Sequence, residues 1–213
     1  NAHGLGGAIY VGAAYAELGF IAVSIETRGG GLRDSDFQYF KDPRAPLAEH
    51  YNHIDRIAMF QQMAKLYPYI DINRVGVSPF ASVTNAVTAL FAYPEYFKVG
   101  VSVNASSDRR MSGVFAGRGP KGHLPLEEMA GNLQGRLLLI HGMLDDVVSL
   151  AAPLRLVSAL QKADKPIDMH FLPNEGHSMS ADGMTYVWDY LVKHLMGCTP
   201  PREAKLDRWN HSC

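Results

Sequence analysis

Short apolar runs recur along this chain and predict the buried strands of a sheet. They are rich in Val, Ile and Leu and apolar at successive positions, which is typical of parallel strands covered on both faces. The pattern predicts five strands, at Phe20–Ile25, Arg74–Ser78, Lys98–Val103, Arg136–His141 and Ile167–Leu172.

The segments between these runs have the spacing of amphipathic helices. Residues 48–67 and 180–196 carry an apolar side chain at nearly every third or fourth position. The two apolar stripes are Ile54, Ile57, Phe60, Ala64 and Tyr67, and Met184, Val187, Trp188, Leu191 and Leu195. Residues 83–92 and 151–163 are shorter predicted helices. Because strands alternate with helices, we expect a parallel α/β sheet with helices on both faces and right-handed crossovers.

One apolar stretch, from Gly4 to Ile25, is long enough to cross a bilayer and carries a single charge, Glu17. A charge within the bilayer is unfavourable, and Glu17-Leu18-Gly19 has the pattern of a helix end capped by glycine. The stretch therefore predicts a buried helix followed by a buried strand, and no membrane span.

The composition indicates one globular domain. The chain has 213 residues, 47% of them hydrophobic, and its 20 basic and 21 acidic residues give a formal charge of −1. This balance does not favour nucleic-acid binding, which needs a basic excess or stripe. We expect residues 1–213 to form a single domain, with 104–135 as an insertion or functional loop. Its two cysteines, Cys198 and Cys213, allow one disulfide or none.

Metal and cofactor sites are not predicted. His50 and His53 lie three residues apart on a predicted helix, but no third ligand is evident, and no Cys/His cluster has zinc spacing. His141 falls within a strand pattern, which favours packing in the core.

Three loops that follow predicted strands carry candidate chemistry. In a parallel sheet, ligands bind beyond the carboxyl ends of the strands. The first loop runs from Ser78 to Ser82, the second contains Asp145 and Asp146, and the third contains His177. A strand–turn–helix, then an acid, then a histidine is the chain order of the catalytic triad in α/β-hydrolases. There an imidazole takes the proton of a hydroxyl, and a carboxylate orients and stabilises that imidazole.

Each of these residues also has a purely structural explanation. Asp145 and Asp146 could end a strand or cap the following helix, and His177 could be an ordinary loop histidine. Their joint occurrence at the expected positions favours a triad-derived site.

Several longer motifs resemble the catalytic domain of the prolyl oligopeptidase family, in particular its dipeptidyl peptidase IV-type and related bacterial members. The motifs are Ala16-Glu17-Leu18-Gly19-Phe20, Asp71-Ile72-Asn73-Arg74-Val75-Gly76-Val77, Tyr93-Pro94-Glu95-Tyr96-Phe97-Lys98-Val99-Gly100-Val101-Ser102, Leu137-Leu138-Leu139-Ile140-His141-Gly142 with Asp145-Asp146, Leu172-Pro173-Asn174-Glu175-Gly176-His177, and the tail from Trp188-Asp189-Tyr190 to Thr199-Pro200-Pro201. They occur in the family's order over nearly the whole chain.

The resemblance implies an α/β-hydrolase fold with Asp145 as the triad acid and His177 as the base. His3 and Gly4 would lie in the loop that forms part of the oxyanion hole. The family's first strands and its N-terminal β-propeller would precede Asn1, so we expect a partial catalytic domain from a longer protein. A sheet without those strands would have an exposed edge, which favours homo-oligomers. The resemblance also favours a secreted or periplasmic location.

The sequence departs from the family at the nucleophile. The family's Gly-x-Ser-x-Gly-Gly elbow corresponds to a stretch from Ser78 to Thr84 that contains no glycine. Counting from the strand places Ala81 at the nucleophile position, whereas counting back from the helix places Phe80 there. Ser82 stands where a helix N-cap belongs, and Ser78 is biased towards extended geometry by the following proline.

Substrate markers are weak as well. The residues after the strand at 98–103 lack the paired tyrosines that form the family's proline pocket, and Val147 stands where many relatives have asparagine. The sequence therefore gives no support for proline specificity.

Three interpretations follow. The chain is a catalytically impaired homologue with a binding or regulatory role, or an active serine peptidase or esterase that uses Ser82 or Ser78 on a peptide or small ester. The third is a local sequence error or gene decay at the elbow of an active parent. The sequence favours the first over the second.

Overall fold

A four-stranded parallel sheet forms the centre of the molecule. The computed structural model describes residues 12–25, 27–28, 48–78, 85–105 and 126–200. The strands are β1 (Val75–Val77), β2 (Phe97–Val103), β3 (Arg136–Gly142) and β4 (Asp168–Leu172), and they lie in the order β1-β2-β3-β4. All three neighbouring pairs are parallel, so the carboxyl ends of the strands meet at one edge of the sheet.

Helices connect and cover the strands. They are α1 (residues 12–17), α2 (Ala48–Leu66), α3 (Asn85–Ala92), a 3-10 helix (Leu126–Asn132), α4 (Ala151–Lys162) and α5 (Ala181–Leu191), which continues as a π-helical turn (Val192–Met196). Ser180 caps α5, because its side chain accepts a hydrogen bond from the Gly183 amide.

Two hydrophobic cores lie on opposite faces of the sheet. Successive residues of β3 enter different cores, since strand side chains alternate between faces: Leu137 and Leu139 join one, and Leu138 and Ile140 join the other. The first core is completed by α2, α3, the 3-10 helix and α4, and the second by α1 and α5. The predicted parallel sheet with helices on both faces is therefore confirmed.

Close packing of β2 and β3 depends on a glycine where β3 begins. A Cβ atom added to Gly135 would lie 2.2 Å from the carbonyl oxygen of Lys98 and 2.8 Å from its carbonyl carbon. A larger residue would push the two strands apart.

Four of the five predicted strands are present, with ends that differ by about one residue. The strand predicted at Phe20–Ile25 is wrong. Those residues have no regular structure, and the side chains of Ile21 and Val23 are 53% and 40% exposed. A strand requires a hydrogen-bonded neighbour, and the described sheet offers these residues none.

Some apolar side chains that the sequence pattern predicts to be buried are exposed in the structure. Ile54 and Tyr67, which belong to the apolar stripe of the predicted helix 48–67, are exposed, whereas Ile57 of the same stripe is buried. Met169 and Phe171 are exposed as well, and their strand β4 lies at an edge of the described sheet.

Of the segment 104–135, which was predicted as an insertion or functional loop, the structure describes residues 104–105 and 126–135, and the latter begin with the 3-10 helix. Within the described ranges, every helix is too short or too polar to cross a bilayer.

Candidate active site

The candidate site lies where β2, β3 and β4 end. A turn after β3 carries Asp145, a loop after β4 carries His177, and Asn104 follows β2 directly. The two longer loops are joined by main-chain hydrogen bonds, from the Met143 amide to the Leu172 carbonyl (2.9 Å) and from the Leu144 amide to the Glu175 carbonyl (2.9 Å). Parallel pairing thus brings together residues that are far apart in the sequence.

Asp145 and His177 form a hydrogen bond. The distance from Nδ1 of His177 to Oδ2 of Asp145 is 3.0 Å. An ionised carboxylate only accepts hydrogen bonds, so the imidazole donates through Nδ1–H and, when neutral, keeps a lone pair on Nε2. The side chain of Asp145 is 1% exposed and that of His177 is 37% exposed. The carboxylate is therefore buried behind an imidazole that reaches solvent.

The other oxygen of Asp145 is held by the main chain. Its Oδ1 atom accepts hydrogen bonds from the amides of Val147 and Val148, both at 2.8 Å. Burial by itself raises the pKa of Asp145, but the hydrogen bonds from Val148, His177 and Val147 outweigh it and hold that pKa below its ordinary value. Asp145 is therefore anionic at neutral pH, as the orientation of an imidazole requires.

A second histidine lies behind this pair. Nε2 of His141 is 3.1 Å from the carbonyl oxygen of Val148 and 3.7 Å from Oδ2 of Asp145. Burial lowers the pKa of His141, which favours the neutral ring. Its buried position confirms the prediction that His141 is a core residue.

The loop that carries His177 is fixed to α5 by Glu175. The carboxylate of Glu175 accepts hydrogen bonds from the amide of Ser180 (2.9 Å) and from its hydroxyl, and that hydroxyl also caps α5. Gly176 packs closely on the end of β3, since a Cβ atom added to Gly142 would lie 2.3 Å from the Gly176 carbonyl oxygen. The loop is therefore held at both of its ends.

Asn104 was missed as a functional candidate in the sequence. Its side-chain nitrogen donates to the carbonyl oxygens of Gly176 (3.1 Å) and His177 (2.7 Å), and its side-chain oxygen accepts from the amide of Gly142 (2.8 Å). An asparagine directly after a buried strand was the available signal, because asparagine tolerates the left-handed backbone that ends a strand abruptly.

Ser78, the residue after β1, lies against the first helix. Its Oγ atom is 2.7 Å from the hydroxyl of Tyr15. Burial raises the pKa of Tyr15 to about 12, although hydrogen bonds with Ser78 and Trp188 act in the opposite direction. Tyr15 had not been singled out in the sequence.

The remaining predicted site residues lie outside the described part of the chain. They are His3, Gly4, Phe80, Ala81 and Ser82. Among the described residues, no group of three His, Cys, Asp or Glu side chains is arranged to hold a metal ion. His53, which the sequence analysis considered as a metal ligand, is buried and packs against the rings of Tyr93 and Phe97.

A family model described as the prolyl oligopeptidase family matches residues 121–197. The matched region contains both Asp145 and His177 and begins after the stretch from Ser78 to Thr84. Over this region the chain is similar to the prolyl oligopeptidase family. The match confirms the resemblance seen in the motifs.

Several dipeptidyl peptidases are similar to this chain. Human dipeptidyl peptidase 8 is 27% identical over 183 residues, covering 77% of this chain and 20% of that protein. The probable dipeptidyl-aminopeptidase B of Emericella nidulans is 29% identical over 196 residues, covering 85% of this chain and 21% of that protein. The chain thus spans about a fifth of the length of these relatives.

Solved structures agree on the fold. Porphyromonas gingivalis dipeptidyl peptidase 4 superposes with a TM-score of 0.67 and 25% identity over 80% of this chain and 26% of that chain. Pyrococcus horikoshii acylaminoacyl peptidase gives a TM-score of 0.67 and 20% identity over 83% of this chain and 32% of that chain. The four-stranded sheet is therefore part of an α/β-hydrolase fold.

Proposed function

We propose that this domain is a catalytically impaired serine-peptidase-type hydrolase, which keeps the acid and the base of the triad but lacks the nucleophile. In this proposal Asp145 is the acid, His177 is the base, and the domain binds peptides at the carboxyl edge of the sheet in a binding or regulatory role. One observation carries the proposal. The Asp145–His177 pair is assembled, whereas the stretch from Ser78 to Thr84 has no Gly-x-Ser-x-Gly sequence.

Loss of the nucleophile follows from the chemistry of the elbow. Acyl transfer needs a hydroxyl or thiol within reach of the base, and neither Ala81 nor Phe80 has one. The elbow is also a strained turn that needs small residues beside the nucleophile. Val83 and Thr84 are β-branched and stiff, so they fit such a turn poorly.

Ser78, which is the first serine of this loop, forms a hydrogen bond with another residue. Ser78 Oγ is hydrogen-bonded to Tyr15, and Pro79 biases Ser78 towards extended geometry. Both features favour a structural role for Ser78.

The Asp145–His177 pair can still bind a ligand in the absence of a nucleophile. With Nδ1–H donated to Asp145, Nε2 of the partly exposed His177 ring is a proton acceptor. It can accept a hydrogen bond from a peptide N–H or from water. The similarity to dipeptidyl peptidases supports peptides as the ligand class. Weak hydrolysis by direct attack of water is compatible with this arrangement, since sites that lack a triad member retain some rate.

An active serine peptidase or esterase that uses Ser82 is the second candidate. The intact Asp145–His177 pair favours it, because the pair is the part of the machinery that activates a hydroxyl. Ser82 follows the predicted nucleophile position by one residue.

The two candidates differ in their dependence on serine. We would measure hydrolysis of a p-nitrophenyl ester and of a dipeptide anilide by the unmodified chain and by Ser82→Ala, Ser78→Ala and His177→Ala. Ser149→Ala is the matched control, because it removes an exposed hydroxyl that is distant in sequence from Ser78 and Ser82. The proposal expects neither Ser82→Ala nor Ser78→Ala to change the rate. Loss of hydrolysis in His177→Ala and in either of these two serine variants, but not in Ser149→Ala, would establish the active enzyme instead.

Peptide binding is tested separately. Titration with a blocked dipeptide amide should shift the NMR signals of the His177 ring in a saturable way. Absence of any shift at millimolar peptide would refute the binding part of the proposal.

A further inference from the structure

We propose that Asn104 is a positioning residue for His177, and that its side-chain amide sets the place of the imidazole relative to Asp145. The inference rests on the proposed role of His177 as a proton acceptor. The hydrogen bonds of the Asn104 side chain go to main-chain atoms and not to the imidazole or the carboxylate. It acts through the main chain that carries them.

The side chain of Asn104 joins the two loops of the site. Its nitrogen uses both hydrogens on the loop after β4, one for the Gly176 carbonyl and one for the His177 carbonyl. Its oxygen accepts from the Gly142 amide at the end of β3, three residues before Asp145. One planar amide therefore fixes the spacing between the base and the strand end that carries the acid.

Burial of Asn104 stabilises its three side-chain hydrogen bonds. Asn104 is 3% exposed, so water does not compete for its donors and acceptor. All three hydrogen bonds lie between 2.7 and 3.1 Å. In addition, the main-chain amide of Asn104 donates to the Ile140 carbonyl at 3.0 Å, which holds Asn104 itself against β3.

The backbone of Asn104 favours asparagine at this position. Its φ angle is 46°, in the left-handed region that most side chains avoid and that asparagine tolerates. Glycine fits that backbone but has no side chain, and aspartate has the shape but cannot donate to two carbonyls. Only an amide satisfies the backbone, both carbonyls and the Gly142 amide together.

His177 is thereby held from two sides. Asp145 fixes the ring through Nδ1, and Asn104 fixes the main chain of the same residue through its carbonyl oxygen. Without Asn104 the loop would keep its contacts through Glu175, so the chain should still fold. The ring would lose its fixed distance to Asp145.

The first test uses the unmodified chain and the NMR signals of its asparagine side chains and histidine rings. We expect the Asn104 side-chain protons to exchange with water roughly 100-fold more slowly than those of exposed Asn132, because local opening must break buried hydrogen bonds. We also expect the His177 ring in the Nδ1–H form with a resolved Nδ1 proton. Equal exchange at Asn104 and Asn132 would overturn the proposal.

The second test uses variants. Asn104→Gly keeps the backbone conformation and removes the amide, and Asn104→Asp keeps the shape and the acceptor but removes the donors. Both should lose the Nδ1 proton signal of His177 and populate its Nε2–H form, with far-ultraviolet circular dichroism unchanged. Asn132→Gly is the matched control and should leave the His177 signals as they are. Retention of the Nδ1 signal in both Asn104 variants would contradict the positioning role.

These readouts need neither a nucleophile nor a substrate, so they are separate from the test of the proposed function. If the chain instead proves to be an active hydrolase, Asn104→Gly should lower kcat by about 10-fold or more with little change in KM, as misplacement of a catalytic base does.

Discussion

The hydroxyl oxygen of Tyr15 lies 2.7 Å from Oγ of Ser78, and this contact joins α1 to the end of β1. Tyr15 is buried, and burial raises its pKa to about 12, so the phenol stays protonated over the whole physiological range. The contact is a neutral hydrogen bond that occupies the first serine of the loop. Because Tyr15 belongs to α1, the packing of α1 determines whether the Ser78 hydroxyl is available as a nucleophile.

Replacement of Tyr15 by Phe should remove a pH-dependent contribution to stability that arises from the burial of the phenol. The folded pKa of Tyr15 lies above its ordinary value of 10.0, so its contribution is complete below pH 10 and is lost as pH rises towards 12. Between those values the unmodified chain should lose about 2–3 kcal/mol more of unfolding free energy than Tyr15→Phe. Urea unfolding at several pH values measures the difference. Parallel curves for the two chains would show that Tyr15 ionises normally.

Asp145→Asn should remove a contribution that disappears in acid. The folded pKa of Asp145 is lowered, so its stabilising effect is present above its ordinary value of 3.8 and is lost as pH falls through the folded value. We expect Asp145→Asn to lower the unfolding free energy by about 1–3 kcal/mol at pH 7 and to have little effect in strong acid.

The neighbouring acid is the natural control for this experiment. Asp146 is exposed, and Asp146→Asn should change stability by less than about 0.5 kcal/mol at either pH. Equal effects of the two substitutions would mean that burial and hydrogen bonding of Asp145 are not what stabilises it.

Gly135→Ala should destabilise the sheet because its Cβ atom would lie 2.2 Å from the carbonyl oxygen of Lys98. Both partners are main chain, so relief requires movement of a strand, and we expect a loss of about 2 kcal/mol or more in urea unfolding. Gly131→Ala is the matched control, since a Cβ atom there would meet nothing within 4 Å. Its effect should stay within about 1 kcal/mol. A neutral Gly135→Ala would contradict the close approach of β2 and β3.

A serine introduced at the nucleophile position should restore reactivity if the retained pair is competent. Ala81→Ser, with Phe80→Ser as its alternative by the other count, should gain labelling by a fluorophosphonate, and His177→Ala should abolish that gain. Ala58→Ser adds a serine on the exposed face of α2 and should remain unlabelled. Failure of both introduced serines in folded protein would mean that the Asp145–His177 pair does not activate a hydroxyl here.

The sequence predicted those parts of the fold that follow from local pattern. Four strands and the helices between them could be located from apolar runs and from helical spacing. The strand expected at Phe20–Ile25 failed because apolar character shows what could be buried, whereas a strand also needs a neighbour that a single sequence does not reveal. For the same reason Met169 and Phe171 were expected to be covered, although β4 lies at an edge.

The candidate site was predictable to a similar degree. Asp145 and His177 stand at strand ends in an informative order, so their meeting could be anticipated. The contacts of Asn104 and Tyr15 could not be anticipated, because they span 72, 73 and 63 positions of the chain. Neither residue belongs to a motif. Only the packed structure shows that Asn104 has three buried partners.

The most direct test of the central claim, an assembled acid–base pair without a nucleophile, is fluorophosphonate labelling of the folded chain with the modified peptide mapped by mass spectrometry. Such probes react with activated serine hydroxyls, so the proposed loss of the nucleophile predicts that no serine is labelled. Labelling of Ser82 or Ser78 that disappears in His177→Ala would contradict this account and identify an active serine hydrolase.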